Sequence, residues 1–132
     1  MRYMGHNVLA IAAAAIVIYA IEFVIFGVLI SPEQYEAMVG LTSQQMHPGR
    51  MPIGLIMPIL IAVGLALVIK WRNAAGWMGG LMTGLILAVL FAFPVALYSY
   101  VYGSHADAFL AVDLAHYLVC WGAGGAIIGA WK

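Results

Sequence analysis

Two pairs of side chains that can exchange protons lie inside long apolar runs of this chain. Asp113 and His116 occur within "AVDLAHYLVCWGAGGAIIGAW", and Tyr19 and Glu22 occur within the first apolar run. The members of each pair are three positions apart, which places them near one another on a helix surface. A charge at the centre of a membrane helix costs ~2.5–3.5 kcal/mol on insertion scales, so such residues usually face the interior of a helix bundle.

The depths of these groups suggest that they meet. Glu22 is nine residues before Ser31, where the first apolar run ends, and His116 is eight residues after Ala108, where the last run begins. At a rise of ~1.5 Å per residue, Glu22 and His116 lie roughly 13 and 12 Å from the outer boundary, and Asp113 about 7 to 8 Å. The sequence therefore predicts a contact between Glu22 and His116 in the outer half of a membrane.

Two prolines extend this prediction to a polar pocket lined by four helices. Pro58 and Pro94 each remove a backbone hydrogen bond at a similar depth, which leaves the carbonyls of Gly54 and Leu90 for water or a ligand. The predicted pocket residues are Glu22, His116, Asp113, Tyr19 and Tyr98. Three alternatives stay open: a pair that handles protons or binds a ligand; a purely structural hydrogen bond, with Asp113 reaching the outer headgroups; and no contact between Glu22 and His116 at all.

The composition sets the elements that must position these groups. Hydrophobic residues make up 66% of the 132 residues and charged residues 8%, whereas a soluble domain is about a quarter charged. Apolar runs close to the ~20 residues needed to cross a bilayer are read as helices, since backbone groups in lipid must be satisfied internally. We predict an all-α integral membrane four-helix up-down bundle surrounded by lipid, a single domain over residues 1–132 with helices at about 8–30, 53–69, 75–102 and 108–131.

The distribution of charge predicts the orientation of the bundle. Four helices place both termini on one side, with the basic residues Arg2, Lys70, Arg72 and Lys132. The other side carries Arg50 and the acids Glu33, Glu36 and Asp107. An excess of Lys and Arg in short loops marks the cytoplasmic face, so both termini are predicted to be cytoplasmic. A formal net charge of zero gives no sign of nucleic-acid binding.

The first outer loop predicts a short surface helix followed by a turn-rich return. Ser31 suits an N-cap, Pro32 the first turn, Gln34 a capping box and Gly40 the C-terminal stop. The return "LTSQQMHPGRMP" is expected to end at Pro52, where the second membrane helix would begin.

Small residues form stripes on the third and fourth membrane helices. They recur at close to every four positions, at Gly76, Gly80, Gly84 and Ala88 and at Gly122, Gly125 and Gly129. Such stripes let two helices approach closely, which is a main source of packing energy in lipid. They fit packing within one chain or between two chains. Because four helices bury little surface, we expect a homo-oligomer or a larger membrane complex.

Other candidate sites are weaker. Copper(I) would suit the thioether and imidazole donors Met46, His47, Met51 and Met57, but methionine also fills apolar cores. Haem would require facing histidines, and the membrane runs offer His116 alone. The single cysteine, Cys120, is interpreted as an inert apolar residue. We therefore predict no metal, no cofactor and no catalytic set.

Several features together resemble a known family. They are Asn7 at the start of the first helix, "FG" near its end, Tyr35 and "GLT" in the outer loop, and the final "HYLVCWGAGGAIIGAW". The chain is similar to the small bacterial membrane proteins of domain of unknown function family 1761. It departs from them where they usually carry Trp-Tyr at the end of the first helix and Phe-Gly-Lys after it, and Glu22 is not part of their pattern. The resemblance implies a four-helix fold in the bacterial inner membrane, and it implies no activity or functional residue.

These observations favour a non-enzymatic membrane protein that acts as an oligomeric or accessory component. The alternative is a small proton-coupled transporter or channel that uses the outer-half polar pocket. A membrane enzyme acting on lipid or quinone is a third, weaker hypothesis.

Overall fold

Helices dominate the computed structural model, which describes residues 1–3, 5–42, 45 and 47–131. Its regular elements are strands β1 (Arg2–Tyr3) and β2 (His6–Asn7) and helices α1 (Val8–Phe23), α2 (Pro32–Val39), α3 (Ile56–Trp71), α4 (Gly76–Leu87), α5 (Phe93–Tyr102) and α6 (Asp107–Ala130). The strands form a small antiparallel hairpin. A π-helical segment, Val24–Leu29, extends α1; a 3-10 segment, Pro48–Leu55, leads into α3; and a second π-helical segment, Ala88–Ala92, joins α4 to α5.

Four continuous helical spans result, each long and apolar enough to cross a membrane. They are Val8–Leu29, Pro48–Trp71, Gly76–Tyr102 and Asp107–Ala130. The predicted all-α fold with four membrane helices is confirmed, and the protein is a multi-pass membrane protein. The predicted cytoplasmic location of its termini stays a prediction, and one of the cations behind it, Lys132, lies outside the described residues.

Asn7 fixes both termini at the same end of the bundle. Its side-chain oxygen accepts hydrogen bonds from the backbone N–H groups of Leu9 and Ala10, at 3.1 and 3.3 Å, and so caps α1. Its side-chain nitrogen donates to the carbonyl of Trp131 at 2.7 Å. The start of α1 is therefore tied directly to the end of α6.

The surface helix α2 forms as its sequence predicts. Ser31 and Gln34 make both hydrogen bonds of a capping box, and Gly40 ends the helix in the left-handed conformation with φ of 70°. Two further bonds hold α2 to the loop before α6: Ala106 N–H donates to the carbonyl of Met38, and the Ser104 hydroxyl donates to that of Val39, each at 2.8 Å. This loop helix therefore lies fixed over the outer end of the bundle.

The second membrane helix begins differently from the prediction. Pro52 does not start it; the helical backbone begins with the 3-10 segment at Pro48, and α3 begins at Ile56. Pro58 falls in the first turn of α3, where N–H groups lack partners within the helix, so it costs little. Pro94 is the second residue of α5, two positions after the end of the π-helical segment Ala88–Ala92, as expected where a missing N–H disturbs the regular ladder.

The glycine stripes of α4 and α6 face each other within one chain. A Cβ placed on Gly80 would overlap the carbonyl oxygen of Gly125, and a Cβ on Gly129 would overlap that of Gly76. Gly84 likewise lies directly against the backbone of Trp121. Backbones at this separation leave no room for side chains, so α4 and α6 form the tightest seam of the fold.

The other two stripe positions pack differently. Gly122 lies against the side chains of Leu81 and Leu85 rather than against backbone. Ala88 is fully buried.

The apolar core lies between α1, α3 and α6. It consists of Ala14, Ala15, Ile18, Ala62, Leu65, Ala66, Ile69, Cys120 and Ile128. Gly124 of α6 allows Ile18 and Leu65 to approach its backbone. Because α6 packs against α1, α3, α4 and α5, it is the central helix, and any polar side chain on it lies close to several others.

Candidate functional site within the membrane span

The structure places Glu22 of α1 beside His116 of α6. The Glu22 Oε1 and His116 Nε2 atoms are 3.4 Å apart, and 19% and 12% of the two side chains are exposed. Since α1 and α6 are neighbours, the contact is made inside the bundle. A carboxylate and an imidazole at this separation can share a proton or form an ion pair.

The second nitrogen of this imidazole has no partner. His116 Nδ1 is buried and makes no hydrogen bond to any part of the chain that the structure describes. Leaving a buried polar atom unsatisfied costs about 1–3 kcal/mol. A histidine kept for stability alone would be expected to have both nitrogens satisfied, so the open Nδ1 points to a group that receives a ligand, a water molecule or a proton.

Cys120 is the third member of the site. One potential ligand atom from each of Glu22, His116 and Cys120 lies within 4.8 Å of the other two. The thiol is fully buried and donates a hydrogen bond to the carbonyl of Ile18 at 3.9 Å. Cys120 is therefore not the isolated apolar residue that the sequence predicts, because it lies in this cluster. The available signal was its spacing of four residues from His116, which puts both on one face of α6.

Three aromatic rings cover the pair on the side away from the chain termini, and we call Phe26, Tyr35 and Phe109 the aromatic cap. The Phe26 ring packs edge-on against the His116 imidazole, with centroids 5.1 Å apart. Tyr35 extends from α2 to contact both other rings, at centroid distances of 6.2 and 5.9 Å. The cap lies between the pair and the end of the bundle that carries α2.

Asp113 is buried close to the aromatic cap, with 8% of its surface exposed. The structural alternative predicted that Asp113 would reach the outer headgroups. The structure instead buries the side chain within the protein. Burial raises the pKa of Tyr35, and the negative charge of Asp113 adds to the rise. The carboxylate of Asp113 is therefore close enough to α2 to act on the Tyr35 hydroxyl. Glu22, His116 and Cys120 form a cluster of their own, without Asp113.

The two other predicted pocket residues point elsewhere. Tyr19 is 44% exposed and Tyr98 is 67% exposed, with the Tyr98 ring stacked on Tyr102. A helix turns about 100° per residue, so Tyr19 is offset by about 60° from Glu22 and falls on the outward surface. The π-helical segment before α5 adds a residue to its turn, which rotates the face that carries Tyr98. Neither tyrosine belongs to the site.

A cavity of about 300 Å³ lies at the opposite end of the bundle, near the termini. Arg2, His6 and Lys70 contribute basic groups to its wall, and Ala10 and Ala66 are among the apolar residues at its base. The sequence does not predict this cavity, because the β1–β2 hairpin that forms part of the wall has no strong sequence signal. The cavity is a mainly apolar concavity with basic groups in its wall, at the end of the bundle that carries the excess of basic residues.

Comparison with known families identifies the chain. The family model described as "Protein of unknown function (DUF1761)" matches residues 9–129. The chain belongs to this family. No curated protein and no solved structure matches it.

The DUF1761 match includes all three members of the polar cluster, Glu22, His116 and Cys120, and the aromatic cap above them. It also includes the seam of α4 and α6. The family description assigns no activity, so the function of this DUF1761 protein must be argued from the site.

Proposed function

We propose that this protein is a small proton-coupled carrier or channel of the bacterial inner membrane that uses Glu22 and His116. It is non-enzymatic, and its termini face the cytoplasm. The observation that carries the proposal is the part-buried contact, at 3.4 Å, between the Glu22 carboxylate and the His116 imidazole. Ionisable groups inside membrane spans are rare and mark ion pathways and proton relays, so such a pair is a candidate functional site.

The environment of the pair suits proton exchange. Burial disfavours the charged form of each group, whereas the opposite charge of the neighbour favours it, so the two effects act in opposite directions. The imidazole can also receive a proton on one nitrogen and release it from the other. His116 has the open Nδ1 that such a transfer requires.

The closed surroundings of the Glu22–His116 pair support a carrier rather than an open pore. The aromatic cap covers one side of the pair, and the cavity near the termini reaches along α1 as far as Ile11. Glu22 lies eleven residues beyond Ile11, about 16 Å along α1, and the buried side chains of Ile18 and Leu65 belong to the core between α1, α3 and α6.

Reconstituted liposomes test this proposal. Protein would be incorporated into vesicles that contain a pH-sensitive dye, and a potassium diffusion potential would drive protons inward. We expect faster acidification than in protein-free vesicles. Glu22→Gln, which retains the size of the side chain, and His116→Asn should reduce the rate to the protein-free value. Tyr19→Phe, on the outward face of the same helix, should leave the rate unchanged.

Each variant would first be checked for a single symmetric elution peak and unchanged helix content in detergent. Well-folded Glu22→Gln protein that conducts protons at the wild-type rate would refute the role of the pair. Equal rates in wild-type and protein-free vesicles, at several lipid compositions, would refute proton coupling itself.

A role as an oligomeric or accessory component is the second candidate, and the outward surface favours it. Only 22–33% of the residues in the four spanning windows are buried. The glycine stripes do not supply the interface, because the seam of α4 and α6 occupies them. The exposed face around Val89, Phe91 and Val95 remains for a second copy or a larger complex. The molar mass of the detergent-solubilised protein, measured by light scattering, decides this: a strict monomer excludes the homo-oligomer.

A further inference from the structure

We propose that Glu22, His116 and Cys120 form a binding site for a single zinc-like divalent cation. The inference goes beyond the proposed function: the site adds Cys120 to the Glu22–His116 pair, and moving a proton within that pair does not need a thiol. The cation is identified by its chemistry as one that accepts sulfur, nitrogen and oxygen ligands together in tetrahedral geometry.

The arrangement of the ligand atoms is close to what such a cation requires. Zinc binds sulfur at about 2.3 Å, nitrogen at about 2.0–2.1 Å and carboxylate oxygen at about 2.0–2.2 Å, so neighbouring ligand atoms in a tetrahedron are about 3.3–3.6 Å apart. The Glu22 Oε1 and His116 Nε2 atoms are already 3.4 Å apart. All three ligand atoms lie within 4.8 Å of one another, so rotamer adjustments of the order of 1 Å complete the set.

The backbone fixes two of the three ligands relative to each other. His116 and Cys120 are four residues apart on α6, so their side chains project from one face one turn apart. Glu22 approaches from α1, which packs against that face. Two ligands on one helix and a third on its neighbour are a common way to build a metal site in a helix bundle. A water molecule would supply the fourth ligand.

Charge selects the class of cation. A divalent ion bound by the Glu22 carboxylate, the Cys120 thiolate and a neutral His116 has no net charge, which suits a site inside a membrane span. Copper(I) with the same ligands would leave a buried negative charge. Calcium and magnesium prefer six or more oxygen ligands, and this cluster offers one carboxylate. The ligand types therefore favour zinc among the common divalent ions.

Binding must release protons, and the site has groups to supply them. The Cys120 thiol loses its proton to become the thiolate ligand, and any proton shared between Glu22 and His116 also leaves to solvent. No electron is transferred. Zinc binding is therefore expected to weaken as the pH falls, because protons compete for the same ligand atoms.

Cobalt(II) provides a direct test with the unmodified protein. Cys120 is the only cysteine in the chain, so a thiolate-to-cobalt charge-transfer band in the near ultraviolet can come from that residue alone. We expect the band to saturate at one cobalt per chain in detergent and to disappear when one equivalent of zinc is added. A titration that shows no such band, or a band unaffected by zinc, would overturn the proposal.

Variants separate this inference from the proposed function. Cys120→Ser retains the size of the side chain and should weaken zinc binding about 100-fold, measured by competition with a chromophoric chelator. His105→Ala, which removes a histidine outside the cluster, should leave zinc binding unchanged. Zinc binding equal in Cys120→Ser and wild-type protein would reject the metal site and leave the proton pair intact. Proton flux at the wild-type rate in Glu22→Gln, the outcome that refutes the proton pair, would leave this zinc result unaffected.

Discussion

Replacing Gly80 by alanine tests the seam between α4 and α6 most directly. The new Cβ would overlap the carbonyl oxygen of Gly125 and lie 3.0 Å from the Cα of Gly129. Both are backbone atoms, so a side-chain rotation cannot relieve the contact, and one helix must move. Overpacking of this kind costs about 1–3 kcal/mol, and occasionally more.

Gly64→Ala is the matched control. Gly64 lies within α3, and a Cβ there would meet no atom within 4 Å. Alanine is favoured over glycine inside a helix by about 0.8–1.0 kcal/mol, and both variants share this gain. The difference between them therefore isolates the clash, and we expect Gly80→Ala to be less stable than Gly64→Ala by about 1–3 kcal/mol, or about 5- to 160-fold in the folding equilibrium constant.

Titration of the detergent-solubilised protein with sodium dodecyl sulfate, followed by tryptophan fluorescence and far-ultraviolet circular dichroism, would measure both free energies of unfolding. The result should not depend on the ratio of protein to detergent, because the seam lies within one chain. Equal stability of the two variants would refute the close approach of α4 and α6. A penalty that disappears on dilution would show that the stripe joins separate chains.

Three further predictions use the same titration. Asn7→Ala removes the cap of α1 and the hydrogen bond to Trp131, and we expect the free energy of unfolding to fall by about 1–2 kcal/mol. Asn7→Ser, which restores only the cap, should recover part of this loss. Wild-type stability in Asn7→Ala would contradict the capping role. Burial raises the pKa of the Tyr35 hydroxyl above its usual 10.0. The neutral hydroxyl therefore contributes fully to the free energy of unfolding below pH 10, and this contribution is lost as the pH rises through the pKa of the folded state. Tyr35→Phe should therefore lose less stability than wild type between pH 9 and 11, and equal losses would count against this. The Thr83 hydroxyl accepts a hydrogen bond from Arg72 and donates one to the carbonyl of Gly79, each at 2.7 Å. Thr83→Val removes both bonds and should lower the free energy of unfolding by about 1 kcal/mol. Thr83→Ser, which retains the hydroxyl, should lower it by less than half as much.

Local signals in the sequence were sufficient for the elements of this fold. The lengths of the apolar runs predicted the four membrane helices, because a bilayer of fixed thickness demands a fixed number of residues. The capping box of Ser31 and Gln34 predicted α2, because its hydrogen bonds connect residues only three positions apart. The start of α3 was missed because a 3-10 segment carries no distinctive apolar period.

The site depended on contacts between distant residues. Comparing depths along two helices placed Glu22 and His116 at one level, because the rise per residue of a helix is constant. The sequence does not show in the same way how each helix is rotated about its own axis. That rotation put Tyr19 and Tyr98 on outward faces. It also turned Cys120 inward, next to His116 of its own helix and next to Glu22, which is 98 positions earlier in the chain.

The sequence by itself determined which segments are membrane helices, the level of each residue along its helix and that both termini lie at one end of the bundle. These properties depend on composition and on distances along one helix. Only the tertiary structure decided which faces meet: the glycine stripes within one chain, the aromatic cap over His116, and the thiol beside the carboxylate. Those outcomes depend on how four helices rotate to fit one another, and that fit is a property of all their surfaces together rather than of any one segment.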